Sequence, residues 1–503
     1  MTRAQWTLVA TIVGSSLTFI DGTAVNVALP ALQRDLQATI TDVQWVIEAY
    51  ALFLGGLILV GGSLGDQFGR KRVFLAGVCL FTVASVACGF AGSTRALIAA
   101  RAVQGIGAAF LVPGSLAIIS ATFDDANRGR AIGSWSGFSA ITSAIGPVAG
   151  GWLIEHVSWR AVFFLNVPLA AMVIVLSVLF MDESRDASRS SGIDWTGAVL
   201  AVLGLGAVVF ALLEWPRLAS SRHIVVATMV GGVIALAALV VVERRVATPM
   251  LPLNLFRSRT FTLANFLTLL LYGAVATVFW LVPLDLIQVQ HYSATAAGAA
   301  LLPLPLLLFL LSRWAGGLVN RVGSRPPLTI GPIVAAAGLV LFARTGIGGT
   351  YWTTIFPAVI ILGLGMAIVV APLTTTAMGA VEAQHAGVAS GVNNAISRVA
   401  GLIAIAVFGI LLTRSFDQRV QAVLAGLELD PAARASIDRE LPKLAGAEIG
   451  AALEPDQRAA ARRAIDDSFV SSFGLIMKVA AGVALGAAAA GALIRDPGGS
   501  ARI

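Results

Sequence analysis

The sequence predicts an all-α polytopic membrane protein with fourteen transmembrane helices, and three observations lead to this fold class. Hydrophobic residues make up 57% of the 503 residues and charged residues only 12%, a composition outside the usual range of soluble domains. Apolar windows of about 20 residues, the length that a helix needs to cross the hydrocarbon core, recur along the whole chain. Because lipid cannot satisfy free backbone groups and the windows are too long for barrel strands, these windows must be helices.

The windows and the basic residues between them define a topology. With the N-terminus in the cytoplasm, the interior segments carry 16 basic residues and the short exterior loops carry 6, the bias expected of cytoplasmic loops. Both termini are therefore predicted to be cytoplasmic, and the net charge of +7 needs no nucleic-acid partner. The predicted spans are 7–30, 43–64, 73–93, 97–120, 131–154, 161–181, 194–213, 223–242, 261–283, 296–318, 328–345, 352–377, 387–412 and 469–494.

An internal repeat divides the spans into two halves. An offset of 254 residues places Gly62, Leu64 and Gly69 on Gly316, Leu318 and Gly323, each pair in an interior loop after a descending helix. Repeated halves are a common architecture of transporters. The resulting 6+2+6 layout predicts an N-terminal six-helix bundle at 1–181, two inserted helices at 182–259 and a C-terminal six-helix bundle at 260–503.

A polar segment, 413–468, separates the last two spans and is predicted to be extracytoplasmic. Apolar residues at helical spacing continue span 13 outward, and Asp430-Pro431 and Glu454-Pro455 are typical helix starts. We expect two or three short amphipathic helices here, which form either a soluble cap or a lid or partner-docking element.

The stretch "GSLGDQFGRKR" at 62–72 interrupts an apolar region and is a candidate for conformational gating. Its glycines permit a tight turn between two helices, and its aspartate can accept hydrogen bonds from a helix N-terminus or from the following arginine. The alternative is a well-anchored interior loop. The candidate residues are Gly62, Asp66, Gly69, Arg70 and Arg72.

This stretch resembles the loop 2–3 signature of the major facilitator superfamily, and the fourteen-span layout is similar to that of its drug:proton antiporter branch. Further motifs match in order: "FIDGTAVNVALP" (19–30), "RAVQGIGAA" (101–109), "GPVAGG" (146–151), "SWRAVFFLNVP" (158–168) and "GVASGVNNAISRVAG" (387–401). The resemblance implies the major facilitator fold. It also implies a gating role for the antiporter motif, Gly146, Pro147, Gly150 and Gly151, and for Arg398.

Charged side chains inside the membrane are costly and are candidates for function by default. Asp21 lies deep in span 1, and Arg101 lies at a similar depth in span 4. The resemblance implies that Asp21 binds the coupling proton or a cationic substrate and that Arg101 biases its protonation; a structural carboxyl satisfied by hydroxyls is the alternative for Asp21. Glu48, early in span 2, is either a second acidic site or a residue in contact with outside water.

A cavity for lipophilic cations needs apolar and aromatic walls with few acids. Asn26 on span 1 and Tyr272, Phe279, Trp280 and Gln288 on or near span 9 are candidate lining residues. A location in the lipid-facing surface or in the core is the competing interpretation for each of these residues.

These features together predict a proton-coupled antiporter that exports small amphipathic or cationic drugs by alternating access across a bacterial cytoplasmic (inner) membrane. No cofactor or metal is expected, because the sequence lacks a phosphate-binding loop and its four histidines are scattered. The expected partners are amphipathic small molecules, protons and the lipid bilayer, and no nucleic acid is expected. The sequence is compatible with a periplasmic adaptor and equally with none. Export of a lipid or endogenous metabolite is the alternative, followed by a membrane sensor. An enzyme is not expected.

Overall fold

The fold is that of a computed structural model, which describes residues 2–185, 194–215, 217–218, 221–246, 249–382, 386–427, 429–449 and 453–494. Within these residues, fourteen helical segments are long and apolar enough to cross a membrane, as predicted. The helices up to the end of the inserted pair are α1 (Arg3–Asp35), α2 (Ile40–Phe68), α3 (Arg70–Gly89), α4 (Thr94–Thr122), α5 (Asp125–His156), α6 (Ala161–Phe164), α7 (Asn166–Phe180), α8 (Trp195–Glu214) and α9 (Arg222–Glu243).

The remaining helices form the second bundle and the segment that caps it. They are α10 (Arg259–Leu284), α11 (Ala294–Ala300), α12 (Pro303–Gly316), α13 (Leu318–Val322), α14 (Arg325–Phe342), α15 (Tyr351–Gly379), α16 (Ala386–Leu424), α17 (Pro431–Glu440) and α18 (Pro455–Ala492). Short 3₁₀ helices cover Leu253–Arg257 and Leu441–Gly446, and a π-helical turn covers Asp285–Val289. Two predicted spans are interrupted: span 6 at Leu165, and span 10 just before the proline that starts α12.

Helices that are distant in the chain pack together within each bundle. In the first bundle α1 packs against α5 and α7, and α4 packs between α2 and α3. In the second bundle α10 packs against α16 and α18, and α14 against α15 and α18. The inserted helices α8 and α9 pair with each other, and α8 lies against α2 and α16. The inserted pair therefore contacts one helix from each bundle.

The repeat is visible in the backbone at the two matched glycines. Gly69 follows α2 with a φ of +109°, and Gly323 follows α13 with a φ of +81°. Both values lie in the region that residues with a Cβ rarely adopt. A glycine with a positive φ thus ends the corresponding helix in each half.

The polar segment 413–468 differs in one respect from the prediction. Asp430 caps α17 and Glu454 precedes α18, as the sequence indicates. The helix after Glu454 is not a short separate element, however, because α18 continues through the membrane to Ala492 as one helix of 38 residues. Nothing between residues 455 and 469 breaks its helical pattern, so the last span simply begins about four turns earlier than hydropathy suggested. We call the end of the molecule that carries α17 and Leu441–Gly446 the capped end.

Candidate functional site

The centre of the candidate site is a buried ion pair between α1 and α4. Arg101 donates from Nη1 to Asp21 Oδ2 over 2.5 Å, and the side chains are only 2% and 0% exposed. The positions of the two residues in their predicted spans indicated a similar depth in the membrane. The structure brings their side chains into direct contact. Two opposite charges in such a place are stable only if their remaining hydrogen-bonding atoms are satisfied.

Amide side chains satisfy the second oxygen of Asp21. Gln104 donates to Oδ1 over 2.9 Å, and Asn166 at the start of α7 donates to the same oxygen over 3.3 Å. Asn166 is held in turn by Ser85 on α3, at 2.9 Å. The carboxylate therefore connects α1, α3, α4 and α7 within the first bundle.

Arg101 is fixed by partners of its own. Its Nε donates to the Val46 carbonyl over 3.1 Å, and its Nη1 also donates to Gln104 over 2.7 Å. The guanidinium lies 4.2 Å from the centre of the Tyr50 ring, a cation–π distance. These contacts hold the guanidinium of Arg101 in place through groups other than Asp21.

The opposite side of α1 borders open space. Gly22 is exposed although it lies mid-helix, and a Cβ at this position would meet nothing within 4 Å. Asn26, one turn later, is half-buried and donates to the Gly22 carbonyl. The residue next to Asp21 is thus exposed, whereas Asp21 itself points into the first bundle.

The candidate lining residues of α10 divide into two groups. Tyr272 and Phe279 are half-buried and lie on one face of the helix, and their lining role stays a prediction. Trp280 is 1% exposed and packs in the core of the second bundle. Trp280 follows Phe279 directly in the helix, so its side chain is turned by about 100° from that of Phe279. This turn directs Trp280 into the core instead of toward open space.

Glu48 is not in contact with outside water. It is fully buried on α2, and neither carboxylate oxygen has a hydrogen-bond partner among the described residues. The sequence placed it near the end of a span, but the packing of α2 against α8 and α16 covers this region. Burial excludes contact with outside water, and the role of Glu48 as a second acidic site stays a prediction.

The stretch at 62–72 anchors the end of the molecule opposite the cap. Asp66 accepts from Arg70 Nε and Nη2 over 3.0 and 2.8 Å, as the sequence suggested. Glu183, which follows span 6, accepts from the backbone amides of Lys71 and Arg72 at the start of α3. A Cβ on Gly69 would lie 2.7 Å from this carboxylate, which would have to move, and the φ of +109° itself favours glycine there. Gly62 has more room, with its nearest neighbour, Pro113, 3.6 Å from such a Cβ.

The glycines of "GPVAGG" allow α5 to approach a helix from each bundle. A Cβ on Gly146 would lie 2.2 Å from Thr23, and one on Gly150 would lie 2.8 Å from Ala24, both on α1. On the other side, a Cβ on Gly151 would lie 2.5 Å from the Ala294 carbonyl at the start of α11. In the same way, a Cβ on Gly298 of α11 would lie 2.2 Å from the Pro147 carbonyl. The motif therefore forms a close backbone contact between the two bundles.

Arg398 lies at a second contact between the bundles. A Cβ on Gly55 of α2 would lie 3.3 Å from the Cβ of Arg398. The Arg398 side chain is partly exposed. No ion pair among the described residues includes it. The residue is thus a charge at the boundary of α2 and α16 rather than part of the Asp21 network.

Hydrogen bonds join the two bundles at the capped end. Gln33 of α1 donates to the Lys443 carbonyl over 3.1 Å and accepts from Gln288 over 2.8 Å. The Lys443 ammonium donates to Gln37 over 2.5 Å. Gln288 therefore belongs to this closure. It also lines a cavity of about 510 Å³, together with residues that include Arg34, Glu155, His291, Glu448 and Arg462. Its predicted role in lining a substrate cavity stays a prediction.

Comparison with known proteins decides the family. Residues 11–405 match the Major Facilitator Superfamily. The chain belongs to this superfamily. Multidrug resistance protein Stp of Mycobacterium tuberculosis is 34% identical over 441 residues, 86% of this chain and 81% of that protein. The tetracenomycin C resistance and export protein of Streptomyces glaucescens is 33% identical over 499 residues, 96% of this chain and 90% of that protein.

The solved structures give the same fold. A bacterial homologue of the human lysosomal transporter Spinster, in an inward-facing and unoccupied conformation, aligns with 97% of each chain at a TM-score of 0.65 and 18% identity. The family assignment predicted from the motifs is confirmed, and this major facilitator protein is a multi-pass membrane transporter and not an enzyme.

Three residues that contact Asp21 or Arg101 directly were missed from the sequence. Gln104 lies inside the span 4 motif three residues after Arg101, and Asn166 is the one amide in span 6. Helical spacing places residues i and i+3 on one face, so Gln104 could have been found from Arg101. The aromatic contact of Tyr50 depends on the rotation of α2, which the sequence does not fix.

Proposed function

We propose that this transporter exports small amphipathic or cationic drugs in exchange for protons. The observation that carries the proposal is the buried Asp21–Arg101 pair beside the open face of α1. The relatives named for multidrug resistance and for tetracenomycin C export support drugs as the substrate class. No cofactor takes part, and the proton gradient supplies the energy.

In this proposal Asp21 alternates between an ionised and a protonated state. When ionised, it is held by Arg101, Gln104 and Asn166. When protonated, it releases one oxygen from the guanidinium, and the unbalanced charge of Arg101 repels a cationic substrate from the adjoining open face of α1. Proton and substrate therefore exclude each other, which enforces exchange.

Alternating access requires the two bundles, 1–181 and 260–503, to rock about their contacts. We assign the capped end to the exterior and both termini to the cytoplasm of a bacterial inner membrane. The hydrogen bonds of Gln33 with Lys443 and Gln288 support an exterior gate that is closed here. A membrane potential of about 150 mV supplies roughly 3.5 kcal/mol per proton, enough for an outward gradient of a few hundredfold for a neutral amphipathic drug.

A second substrate class is favoured by a separate cavity of about 400 Å³ at the inserted helices. Its walls are almost entirely apolar and come from α2, α8, α9, α10 and α16, with Thr262 and Asn265 as polar residues. Such a site suits the apolar body of a lipid or an endogenous amphipathic metabolite. Export of such a compound would use the same coupling site.

The test measures proton movement and drug accumulation together in liposomes that contain the purified protein. With a lipophilic cation such as ethidium, we expect the wild type to show substrate-dependent proton flux. Asp21→Asn should retain the fold, because an asparagine oxygen still accepts from Gln104, but should lose this flux completely. The Asp21→Asn/Arg101→Met double variant, which removes both charges, should lose it too.

Asp35→Asn is the matched control, since Asp35 lies on the same helix and pairs with Arg160 but is 47% exposed. We expect it to transport like the wild type. Unchanged coupling in Asp21→Asn would exclude Asp21 as the proton site. Uptake of labelled lipid instead of ethidium, still coupled to protons, would favour the second substrate class.

A further inference from the structure

Two buried carboxylates meet where the inserted helices approach each other, at the end of the molecule opposite the cap. Asp194 is the residue before α8, and its Oδ1 accepts from the Gly197 amide over 2.7 Å. Glu243 is the last residue of α9, and its Oε2 accepts from the Leu251 amide over 3.0 Å. The side chains belong to residues that are 9% and 3% exposed. Each carboxylate thus has one oxygen bound to the backbone.

The other two oxygens lie close to a common point. Asp194 Oδ2 and Glu243 Oε1 lie 2.6 and 3.0 Å from the point that a Cβ on Gly197 would occupy. Both atoms are buried and neither has a hydrogen-bond partner among the described residues. The absence of a side chain at Gly197 leaves the space next to both oxygens open.

Two ionised carboxylates cannot remain this close in a buried place without a bound positive charge. Among the described residues, no ion pair includes either group. On the neighbouring helices, Asp66 of α2 pairs with Arg70, and Arg398 of α16 lies beside Gly55. The basic residues of the adjoining described segments are all exposed, namely Arg185, Arg244, Arg245, Arg257 and Arg259.

A proton fits this geometry better than a metal ion. Calcium prefers about six to eight oxygen ligands and magnesium a complete octahedron, whereas only two oxygens are free here. One proton, covalently bound to one oxygen and donated to the other, satisfies both at once and leaves a single negative charge. That charge lies at the N-terminus of α8, where the helix dipole stabilises it.

We infer that Asp194 and Glu243 form a proton-binding site that holds one shared proton between Asp194 Oδ2 and Glu243 Oε1. The site is separate from Asp21 and stands independently of the exported substrate. The shared proton joins the start of α8 to the end of α9 and to the backbone at Leu251. Loss of the proton would place two like charges in contact and drive the ends of the inserted helices apart.

The direct test is infrared spectroscopy of the purified full-length protein, which detects the carbonyl stretch of protonated carboxyl groups. Asp194→Asn and Glu243→Gln each keep the oxygen that accepts from the backbone, so both variants should fold. We expect each to remove the same protonated-carboxyl band, with the area of one group, while Asp182→Asn at an exposed carboxylate leaves it unchanged. A band that survives either substitution would overturn the shared proton.

Thermal unfolding as a function of pH provides a second readout. The wild-type midpoint should fall as the pH rises from mildly acidic to mildly alkaline, because the shared proton is lost, and this fall should be smaller in both variants. Sodium, potassium, magnesium and calcium are then added singly at constant ionic strength. A midpoint raised by one of these cations in the wild type and not in the variants would overturn the proton in favour of that cation.

Discussion

Asp21 and Arg101 are buried together, but removal of one side chain has different consequences for the charge that is left behind. A carboxylate left alone in an apolar place can take up a proton and become neutral. A guanidinium cannot lose its proton under ordinary conditions. The pair is therefore asymmetric, and this asymmetry is testable through stability alone.

We predict that Asp21→Asn destabilises the protein more than Arg101→Met. Breaking a buried pair typically costs about 3–5 kcal/mol, and Asp21 can reduce this cost by protonation whereas Arg101 cannot. The Asp21→Asn/Arg101→Met double variant should recover part of the loss. The measurement is the thermal unfolding midpoint of each purified variant. Equal losses that add up in the double variant would show that the two side chains do not interact.

Glycine placement decides how closely the membrane helices approach one another, and α5 shows this for a whole element. Gly146 and Gly150 face α1, while Gly151 faces the start of α11 in the other bundle. The sequence motif identified these glycines as a unit. Which of them faces which bundle could not be predicted, because it depends on the rotation of α5 between its neighbours.

We predict that Gly151→Ala impairs transport without preventing membrane insertion. The added methyl group would lie 2.5 Å from the Ala294 carbonyl, so α5 and α11 must separate. Gly133→Ala is the matched control on the same helix, where a Cβ meets nothing within 4 Å and alanine favours the helix by about 1 kcal/mol. Substrate-dependent proton flux in liposomes should fall in the first variant only. A normal flux in Gly151→Ala would show that this contact does not matter for the transport cycle.

The capped end shows what local signals can and cannot establish for an element. The helix starts at Asp430-Pro431 and Glu454-Pro455 were correctly predicted, because capping residues and proline act locally. The length of the helix after Glu454 was not correctly predicted, because its polar first turns suggested a separate surface helix. Arg462 explains their polarity: it donates to the carbonyls of Ala445 and Ala447 and pairs with Asp466.

At the scale of the whole molecule, the two bundles are connected through a few defined contacts. The cap and Gln288 join them at one end, α5 and α11 approach each other next to this closure, and Arg398 lies beside α2. The inserted pair α8–α9 rests on α2 and α16. Any movement of one bundle against the other must therefore displace the inserted helices as well.

We predict that the capped end faces the exterior. In a background with serine at both native cysteine positions, Arg95→Cys and Arg257→Cys place a thiol at opposite ends, and both arginines are exposed. A membrane-impermeant maleimide added to intact cells should label the first variant and not the second. Permeabilised cells should allow labelling of both. The reverse pattern in intact cells would invert the topology that the basic residues predict.

The sequence by itself determined the properties that depend on composition and local pattern. Hydropathy gave the fourteen spans, the repeated loop gave the relation of the halves, and the ordered motifs gave the family. It also identified Asp21 and Arg101 as costly charges at similar depth. These inferences needed no knowledge of how any helix is rotated.

The tertiary structure alone decided which side chains meet. It brought Gln104 and Asn166 to Asp21, buried Glu48, placed Trp280 in the core and paired Asp194 with Glu243. The physical reason is that an apolar helix in a bilayer has no strongly preferred buried face, since lipid and protein interior are similarly apolar. Rotation and contact are therefore set by close packing at small residues and by polar groups finding partners, and both depend on residues far apart in the chain.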